Sequence, residues 1–434
     1  MTTSAHIRQQ VEVCVGKAGF SLGSLIYVRQ GRRENSAFAY DQSWLARPDR
    51  FNVSVDLTLL PGYQTRKAAS PHDSVFHGAI ADTAPDAWGR RVIARDHAKR
   101  RRLDPGLPAL TELDYLLAVD DFSRVGALRL RDPSGTWSRS VDKGRRATPP
   151  LIELAGVYKA SRAVELGNET TEDLRYLQGR GTSLGGMRPK CTMVDEDGYL
   201  GIGKFPSVDD ARSVTRGEVL ALKLASKAGI DAATARIVLL GDKGAEVAVA
   251  VIRRFDRDDD DGRIPYQSAA SILQATRADD RSYTEIADAI RSHGYTPTAD
   301  LHQLWRRLVF NLLITNVDDH LQNHGFLHME RGLWRLAPAF DINPFPDKDR
   351  ESKTWLTEQD GPITDLKMLM ARASYFALNP DHALSIVGEV TSAVSAWREL
   401  ALSREVGMQP AELDDFAPAF EHQQMKAAAR LLGQ

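Results

Sequence analysis

The chain has 434 residues, a length that predicts two or three domains with a sizeable buried core. Its hydrophobic content of 42%, charged content of 26% and formal net charge of −2 are typical of a globular protein, and they exclude a protein that mainly coats nucleic acid. The two cysteines, Cys14 and Cys191, are too few for a disulfide framework or a cysteine-rich zinc site. The sequence shows no secretory signal and no run of about 18 apolar residues, so a cytoplasmic protein with no membrane contact is expected.

The first part of the chain, to about residue 130, is predicted to be mixed and rich in strands. Residues 20–28 read as a strand, and residues 54–59 alternate polar and apolar side chains with the period of a strand. A helical pattern follows from 84 to 102, and its basic residues are typical of a solvated helix face. Residues 131–150 combine Pro, Gly, Ser and charge without periodicity, which predicts a linker.

The middle of the chain is predicted to hold a glycine-rich loop and two hairpins. Residues 178–190 contain the glycines, and a strand pair then flanks an Asp-Glu-Asp-Gly turn. A helix over 214–228 ends before Gly229, which is suited to a C-cap. The second hairpin, rich in β-branched residues, ends before 253.

After about residue 262 the pattern becomes almost wholly helical. Two amphipathic helices are predicted around 382–404 and 411–432. An apolar stripe at helical spacing leads into an acidic motif, and it comprises Leu301, Leu304, Trp305, Leu308, Leu312 and Leu313.

That motif places Asp318 five residues before Asn323, and Asp341 follows later. A protein kinase uses an Asp and an Asn at this spacing in its catalytic loop, followed by a second Asp. We expect Asp318 to act as the catalytic base, and Asn323 and Asp341 to hold Mg²⁺, which prefers oxygen ligands. The surrounding letters differ from those of common kinases, so the motif predicts an atypical member.

Further residues fit a nucleotide site. Lys204, at the end of the first hairpin, would neutralise the phosphates of ATP, and Glu218 on the following helix would hold it in an ion pair. Backbone N–H groups of the glycine-rich loop, at Gly185 and Gly186, would also face phosphate.

The segment after the second hairpin would meet the nucleoside. Asp256 could reach a ribose hydroxyl, and the backbone near Arg254 and Phe255 could meet adenine. His320 is assigned to nucleotide binding as well. An alternative is a zinc site, since Asp318, Asp319, His320, His324 and His328 cluster in sequence. Asp319 has no role in the kinase scheme and is expected to be solvated.

Together these motifs resemble the HipA family of serine/threonine kinases, the toxins of bacterial type II toxin–antitoxin pairs. The resemblance covers nearly the whole chain, and the motifs that carry it are residues 84–89, 125–128, 183–190, 254–257, 318–323 and 340–342. It implies an α+β, two-lobed, protein-kinase-like fold with an extra N-terminal subdomain and an all-helical C-terminal lobe. The domain boundaries expected from it are 1–135, 150–258 with the glycine-rich loop, and 259–434.

The resemblance also implies ATP and Mg²⁺ as cofactors and a serine on a protein as substrate, with aminoacyl-tRNA synthetases as the family's targets. It implies autophosphorylation in the glycine-rich loop, where Ser183 is the matching residue and Thr182 a neighbouring hydroxyl. A phosphate there would add about −1.5 to −2 charge beside a pocket for ATP phosphates and would switch the kinase off.

The expected partner is a small helix-turn-helix antitoxin of the HipB type, with DNA contacted only indirectly through that complex. Two alternatives stay open. The same acidic motif would serve a kinase of a small molecule, and a nucleotide-binding co-repressor without turnover would retain the same residues.

Overall fold

A computed structural model describes residues 6–70, 73–138, 153–178, 186–242, 244–276 and 279–433. The strands in these residues are β1 (His6–Val15), β2 (Phe20–Gln30), β3 (Arg33–Tyr40), β4 (Gln64–Lys67), β5 (Leu128–Arg131), β6 (Lys190–Val194), β7 (Leu200–Lys204), β8 (Ala235–Leu240), β9 (Val247–Arg253), β10 (Tyr266–Ser268), β11 (Gly325–His328), β12 (Trp334–Leu336), β13 (Trp355–Thr357) and β14 (Gly361–Pro362). The helices are α1 (Gln42–Leu45), α2 (Gly78–Ala81), α3 (Ala87–Leu103), α4 (Glu112–Leu117), α5 (Leu154–Leu166), α6 (Thr171–Gln178), α7 (Val214–Lys227), α8 (Ala269–Ile272), α9 (Tyr283–His293), α10 (Pro297–Leu313), α11 (Leu366–Ala371), α12 (Pro380–Ser395), α13 (Trp397–Leu402), α14 (Pro410–Phe420) and α15 (Gln423–Leu431).

The chain divides into two compact units, and unit 1 comprises Met1–Gly203, Asp256–Ala278 and Glu330–Gly332. Its first element is an antiparallel five-stranded sheet in the order β4-β3-β2-β1-β5. One face of this sheet is apolar and packs against α1, α2 and α4, as the alternation of side chains along its strands requires. The predicted strand at 20–28 is confirmed as β2.

The strand predicted at 54–59 is wrong, because its polar side chains serve a buried network. Ser54 Oγ accepts a hydrogen bond from Ala79 N at 3.1 Å, and the Asp56 carboxylate contacts His77 Nδ1 at 3.0 Å and Arg66 at 3.1 Å. The backbone also turns here, because Leu57 N donates to the carbonyl of Ser54 at 3.0 Å. The alternation in this segment therefore reflects a turn with inward polar groups, which periodicity alone does not distinguish from a strand.

Helix α3 is the predicted helix near 84–102, and Asp86 caps it by accepting from Gly89 N at 2.7 Å. Its basic face is not merely solvated. Arg90 makes a bidentate pair with Glu112, and Arg95 lies 2.7 Å from Glu169. These ion pairs attach α3 to the segments around it within unit 1.

Asp86 also anchors the end of the glycine-rich stretch. Its other carboxylate oxygen lies 3.1 Å from Nζ of the buried Lys190, and Trp88 N donates to the carbonyl of Gly186 at 3.3 Å. Gly186 has a φ of +88°, a conformation that favours glycine. The beginning of α3 therefore fixes residues 186–190 in place.

Unit 2 comprises Lys204–Phe255, Asp279–Met329 and Leu333–Gln434. It contains α7, which ends before Gly229 at a φ of +75°, and the antiparallel hairpin of β8 and β9, both as predicted. The predicted apolar stripe of α10 is confirmed, because all six of its residues are buried.

The C-terminal part of the chain was expected to be almost wholly helical, but it also contains short strands. The strands β11 and β12 form an antiparallel pair, and β13 pairs with β14. Each has only two to four residues, too short for its periodicity to separate it from a loop. The two predicted terminal helices are each divided, into α12 and α13 and into α14 and α15. The predicted boundaries of three domains stay a prediction. In the described part of the chain, no helix is both long and apolar enough to span a bilayer.

Candidate active site

The best-defined candidate site, in unit 2, is built around a buried lysine. Lys204 Nζ lies 2.5 Å from Glu218 Oε1 and 2.5 Å from Asp341 Oδ1. The lysine ends β7, whereas Glu218 lies in the second turn of α7, so the ion pair predicted between them is present in the structure. Its contact with Asp341 was not anticipated.

The charge state of Lys204 follows from its two partners. Burial acts to lower the pKa of Lys204, but the carboxylates of Asp341 and Glu218 outweigh burial and raise the pKa above its ordinary value. The ammonium is therefore retained at neutral pH. A buried cation of this kind is suited to binding phosphate oxygens as a point charge.

Asp341 is held in an unusual backbone conformation, with a φ of +54°. A positive φ in a residue other than glycine costs free energy and persists where the surroundings enforce it. The preceding Phe340 ring packs on Phe255 at 5.4 Å between centroids, and Asn343 N donates to Asn316 Oδ1 at 3.4 Å. These contacts hold the backbone on either side of Asp341, while its carboxylate contacts Lys204.

The predicted catalytic loop directly follows α10 and is closed by its own asparagine. Asn323 Nδ2 donates to the carbonyl of Asp318 at 2.8 Å, across the five-residue spacing. This bond leaves the amide oxygen, the atom that Mg²⁺ would take, outside the hydrogen bond. The Asp318 carboxylate is half-exposed and contacts the ammonium of Lys353.

Asp319, expected to be solvated, is instead 2% exposed and anchors the loop. Its carboxylate accepts from Tyr283 Oη and, at 2.9 Å, from Lys353 N, and its carbonyl accepts from Thr354 Oγ1 at 2.7 Å. Burial raises the pKa of Asp319 to about 6, although the Tyr283 hydroxyl acts to lower it. The two adjacent acidic residues thus take different partners.

His320 lies in the predicted catalytic loop, between Asp318 and Asn323. Burial lowers the pKa of this imidazole, while the negative charges of Asp318 and Asp341 act to raise it. The hydrogen bond from Asn343 N to Asn316 Oδ1 joins the segment that follows Asp341 to the start of the catalytic loop. The structure thus brings Asp341, and with it Lys204, to the same region as Asp318 and Asn323.

The zinc alternative gains no support. The rings of His324 and His328 pack on Tyr283 and Trp334, each at 5.4 Å between centroids. Among the described residues, no group of three or more His, Cys, Asp or Glu side chains is arranged to hold a metal ion. A single carboxylate and an amide oxygen fit Mg²⁺ better, because this ion usually keeps several waters and takes phosphate oxygens.

Most of the remaining predicted residues belong to unit 1 or lie outside the described residues. Ser183, Thr182 and Gly185 lie outside the described residues, and Gly186 belongs to unit 1. Asp256, also in unit 1, is buried and accepts from Gly126 N at 2.6 Å and from its neighbour Arg257 at 2.9 Å. Its proposed ribose contact stays a prediction.

Arg254 is buried and Phe255 is partly buried, and both residues belong to unit 2. Their proposed contact with adenine also stays a prediction.

Sequence reasoning missed Lys353 altogether. It lies 35 residues beyond Asp318 in a segment without periodicity, so no motif spacing could have indicated it.

Comparison with known proteins gives the class first. A structure described as the Shewanella oneidensis MR-1 toxin–antitoxin system HipA, HipB and its operator DNA complex covers 98% of this chain and 97% of its own, with a TM-score of 0.66 and 15% identity. At this identity the likeness shows the fold alone, so the protein has a HipA-like, kinase-like mixed α/β fold.

The sequence comparisons assign a family to the middle and later part of the chain. Residues 182–397 match the HipA-like C-terminal domain, so this part of the chain is a member of that domain family. A Haemophilus influenzae protein named "Putative kinase" is 24% identical over 39% of this chain. A Sinorhizobium fredii protein, "Putative kinase Y4mE", is 22% identical over 72% of this chain and 73% of its own length. The chain spans about half (55%) of the Haemophilus protein.

Proposed function

We propose that this protein is an ATP- and Mg²⁺-dependent protein serine/threonine kinase that acts as a bacterial growth-inhibiting toxin. The observation that carries the proposal is the ion cluster of Lys204, Glu218 and Asp341, which a hydrogen bond from Asn343 to Asn316 joins to the loop closed by Asp318 and Asn323. The names of the relatives support a kinase. The target class, aminoacyl-tRNA synthetases, follows only from the family resemblance.

Each residue has a defined task in this reaction. Lys204 binds phosphate oxygens of ATP, with Glu218 holding its ammonium in place. Asn323 and Asp341 would hold Mg²⁺, and this ion would supply positive charge to the phosphates. Asp318 accepts the proton of the substrate serine hydroxyl, whose oxygen then bonds to the γ-phosphorus as the bond to ADP breaks. Catalysis is thus positioning combined with charge neutralisation.

Regulation and partners form a second part of the proposal. Ser183, or Thr182 beside it, would accept a phosphate that inactivates the kinase through its charge. A small helix-turn-helix protein of the HipB type would bind the chain and carry the contact with operator DNA. The supporting observation is the composition of the Shewanella complex, whose fold this chain shares.

The test is mass spectrometry of phosphatase-treated protein after incubation with Mg-ATP, with ADP release measured in parallel. Wild type should gain phosphate at Ser183 or Thr182 and release ADP. Asp318→Ala should lower the rate by about 10²- to 10⁴-fold, because the general base is lost. Asp414→Ala, which removes an exposed carboxylate on α14, is the matched control and should react like wild type.

Other outcomes separate the alternatives. ADP release that requires an added small molecule, with no phosphoprotein formed, would favour the small-molecule kinase. Nucleotide binding without ADP release would contradict an enzyme and favour the co-repressor. A phosphoprotein formed equally by the Asp318→Ala variant would show that Asp318 is not the base.

A further inference from the structure

A lysine that no sequence motif indicates touches the proposed catalytic base. The ammonium of Lys353 contacts Asp318 Oδ1, and its side chain is 56% exposed. An exposed ion pair of this kind contributes little to folding stability, typically about 0–1 kcal/mol. Stability alone therefore gives little reason for a cation at this position.

The backbone that carries this lysine is fixed, in contrast to its exposed head group. Lys353 N donates to the buried Asp319 carboxylate at 2.9 Å, and Trp355 N donates to the carbonyl of Arg281 at 2.9 Å. Ser352 Oγ bonds to the carbonyl of Thr354 at 2.6 Å. The segment 352–355 is thus held at several points on both sides of the lysine.

Asp319 couples this segment to the catalytic loop. It is the immediate neighbour of Asp318, and it uses both its carboxylate and its carbonyl to hold residues 353 and 354. Any shift of the loop therefore moves the anchor of Lys353 with it. A cation placed in this way stays in register with the base, as preorganised charge stabilisation requires.

We propose that Lys353 is a further catalytic residue of the proposed kinase reaction. Its ammonium holds the Asp318 carboxylate before substrate binds, and it contacts the transferred phosphoryl group while Asp318 accepts the hydroxyl proton. Lys353 keeps its own protons throughout, so its contribution is charge and position. The inference rests on the proposed function, since it assigns a role within that reaction.

A role of Lys353 as the proton acceptor is chemically unfavourable. An ammonium has three donors and no acceptor atom, so it has no lone pair with which to take the hydroxyl proton. The cation would instead meet charge that develops on the phosphoryl oxygens. Removing one preorganised donor of this type typically costs about 10²- to 10³-fold in kcat.

The experiment compares Lys353→Met and Lys353→Arg with wild type in the ADP-release assay, together with the affinity for a fluorescent ATP analogue and the Tm. Lys353→Met should lower kcat by about 10²-fold and leave the nucleotide Kd and the Tm nearly unchanged. Lys353→Arg, which keeps the charge, should recover part of kcat. Lys367→Met removes an exposed lysine on α11 and should behave like wild type.

The outcomes separate this inference from the function on which it rests. A wild-type enzyme that releases ADP, with Lys353→Met equally active, would overturn the role of Lys353 and leave the kinase proposal standing. A fall in Tm or nucleotide affinity that accounts for all of the lost activity would also overturn it, because the lysine would then be structural. A wild type that releases no ADP would remove the kinase proposal itself and this inference with it.

Discussion

At the scale of single residues, two adjacent acidic side chains perform opposite tasks. Asp318 is half-exposed and pairs with a lysine, whereas Asp319 is buried against Tyr283. Sequence spacing was enough to predict roles for Asp318, Asn323 and Asp341, because kinase catalytic loops place such residues at a typical distance along the chain. It could not assign Asp319, because its partners lie 34 or more residues away in sequence.

The raised pKa of Asp319, about 6, makes a prediction for stability. The folded protein binds this proton more tightly than the unfolded chain, whose aspartate pKa is about 4. Stability from this group is therefore fully present below about pH 4 and is lost as pH rises to about 6, by up to about 3 kcal/mol. Asp319→Asn should lack this component, since an amide can still accept from Lys353 N and can bond to the Tyr283 hydroxyl.

The measurement is urea unfolding of wild type and Asp319→Asn from pH 4.5 to 7.5. The free energy of unfolding of wild type relative to the variant should fall with pH up to about 6 and then become constant. A relative stability that instead rises with pH would show that the folded-state pKa of Asp319 is lowered. Other titrating groups cancel in this difference.

At the scale of elements, the close packing of helix α7 against α14 depends on one glycine, Gly217. A Cβ at Gly217 would lie 2.8 Å from the ring of Phe416 on α14, and Glu218 is the next residue. Gly217→Ala should therefore destabilise the protein by about 1–3 kcal/mol through overpacking, although alanine is the better helix former by about 1 kcal/mol. Thermal unfolding measures this difference.

A second helical glycine supplies the control. At Gly388 on α12 an added Cβ would meet only Leu432, at an ordinary contact distance of 3.4 Å. Gly388→Ala should leave the Tm unchanged or raise it. Equal effects of the two substitutions would contradict the packing argument, and recovery of Gly217→Ala by Phe416→Leu would support it.

The same scale explains which elements the sequence predicted. The stripe of α10 and the hairpin of β8 and β9 were predicted correctly, since burial on one side repeats with the period of the element. The segment 54–59 was predicted wrongly as a strand. Its polar residues Ser54 and Asp56 point inward and bond to Ala79 N and His77, so their alternation does not reflect a strand with one solvated face. The short strands β11 to β14 depend on partners distant in sequence, so their own residues carry too little signal.

At the scale of the whole molecule, neither unit is continuous in sequence. Unit 1 includes Asp256–Ala278, a return segment that follows the first part of unit 2, Lys204–Phe255, in the sequence. In that return segment, Ser268 donates to the half-buried Asp82 through N at 2.7 Å and Oγ at 2.8 Å, and Gln267 accepts from Val55 N at 3.2 Å. The stability of unit 1 thus depends on residues beyond the predicted boundary at 258.

A fragment that ends at residue 258 should accordingly lack cooperative unfolding, because Asp82 would lose its partners, at a cost of about 1–3 kcal/mol, as well as the packing of α8. Circular dichroism during heating would show this as a broad transition. A fragment that ends at residue 278 restores the return segment and should unfold more sharply. A sharp transition in the shorter fragment would contradict the dependence on residues 259–278.

The arrangement of one ammonium between two carboxylates also determines a charge balance. Lys204, Glu218 and Asp341 together leave one formal negative charge in a buried location before any ligand arrives. A triphosphate would add more charge of the same sign, so on the proposed function it can enter only with a counterion. The counterion and the nucleotide then bind as thermodynamically linked ligands, each increasing the affinity for the other. The fraction of protein with nucleotide bound at this site would therefore depend on the concentration of the divalent cation as strongly as on that of ATP.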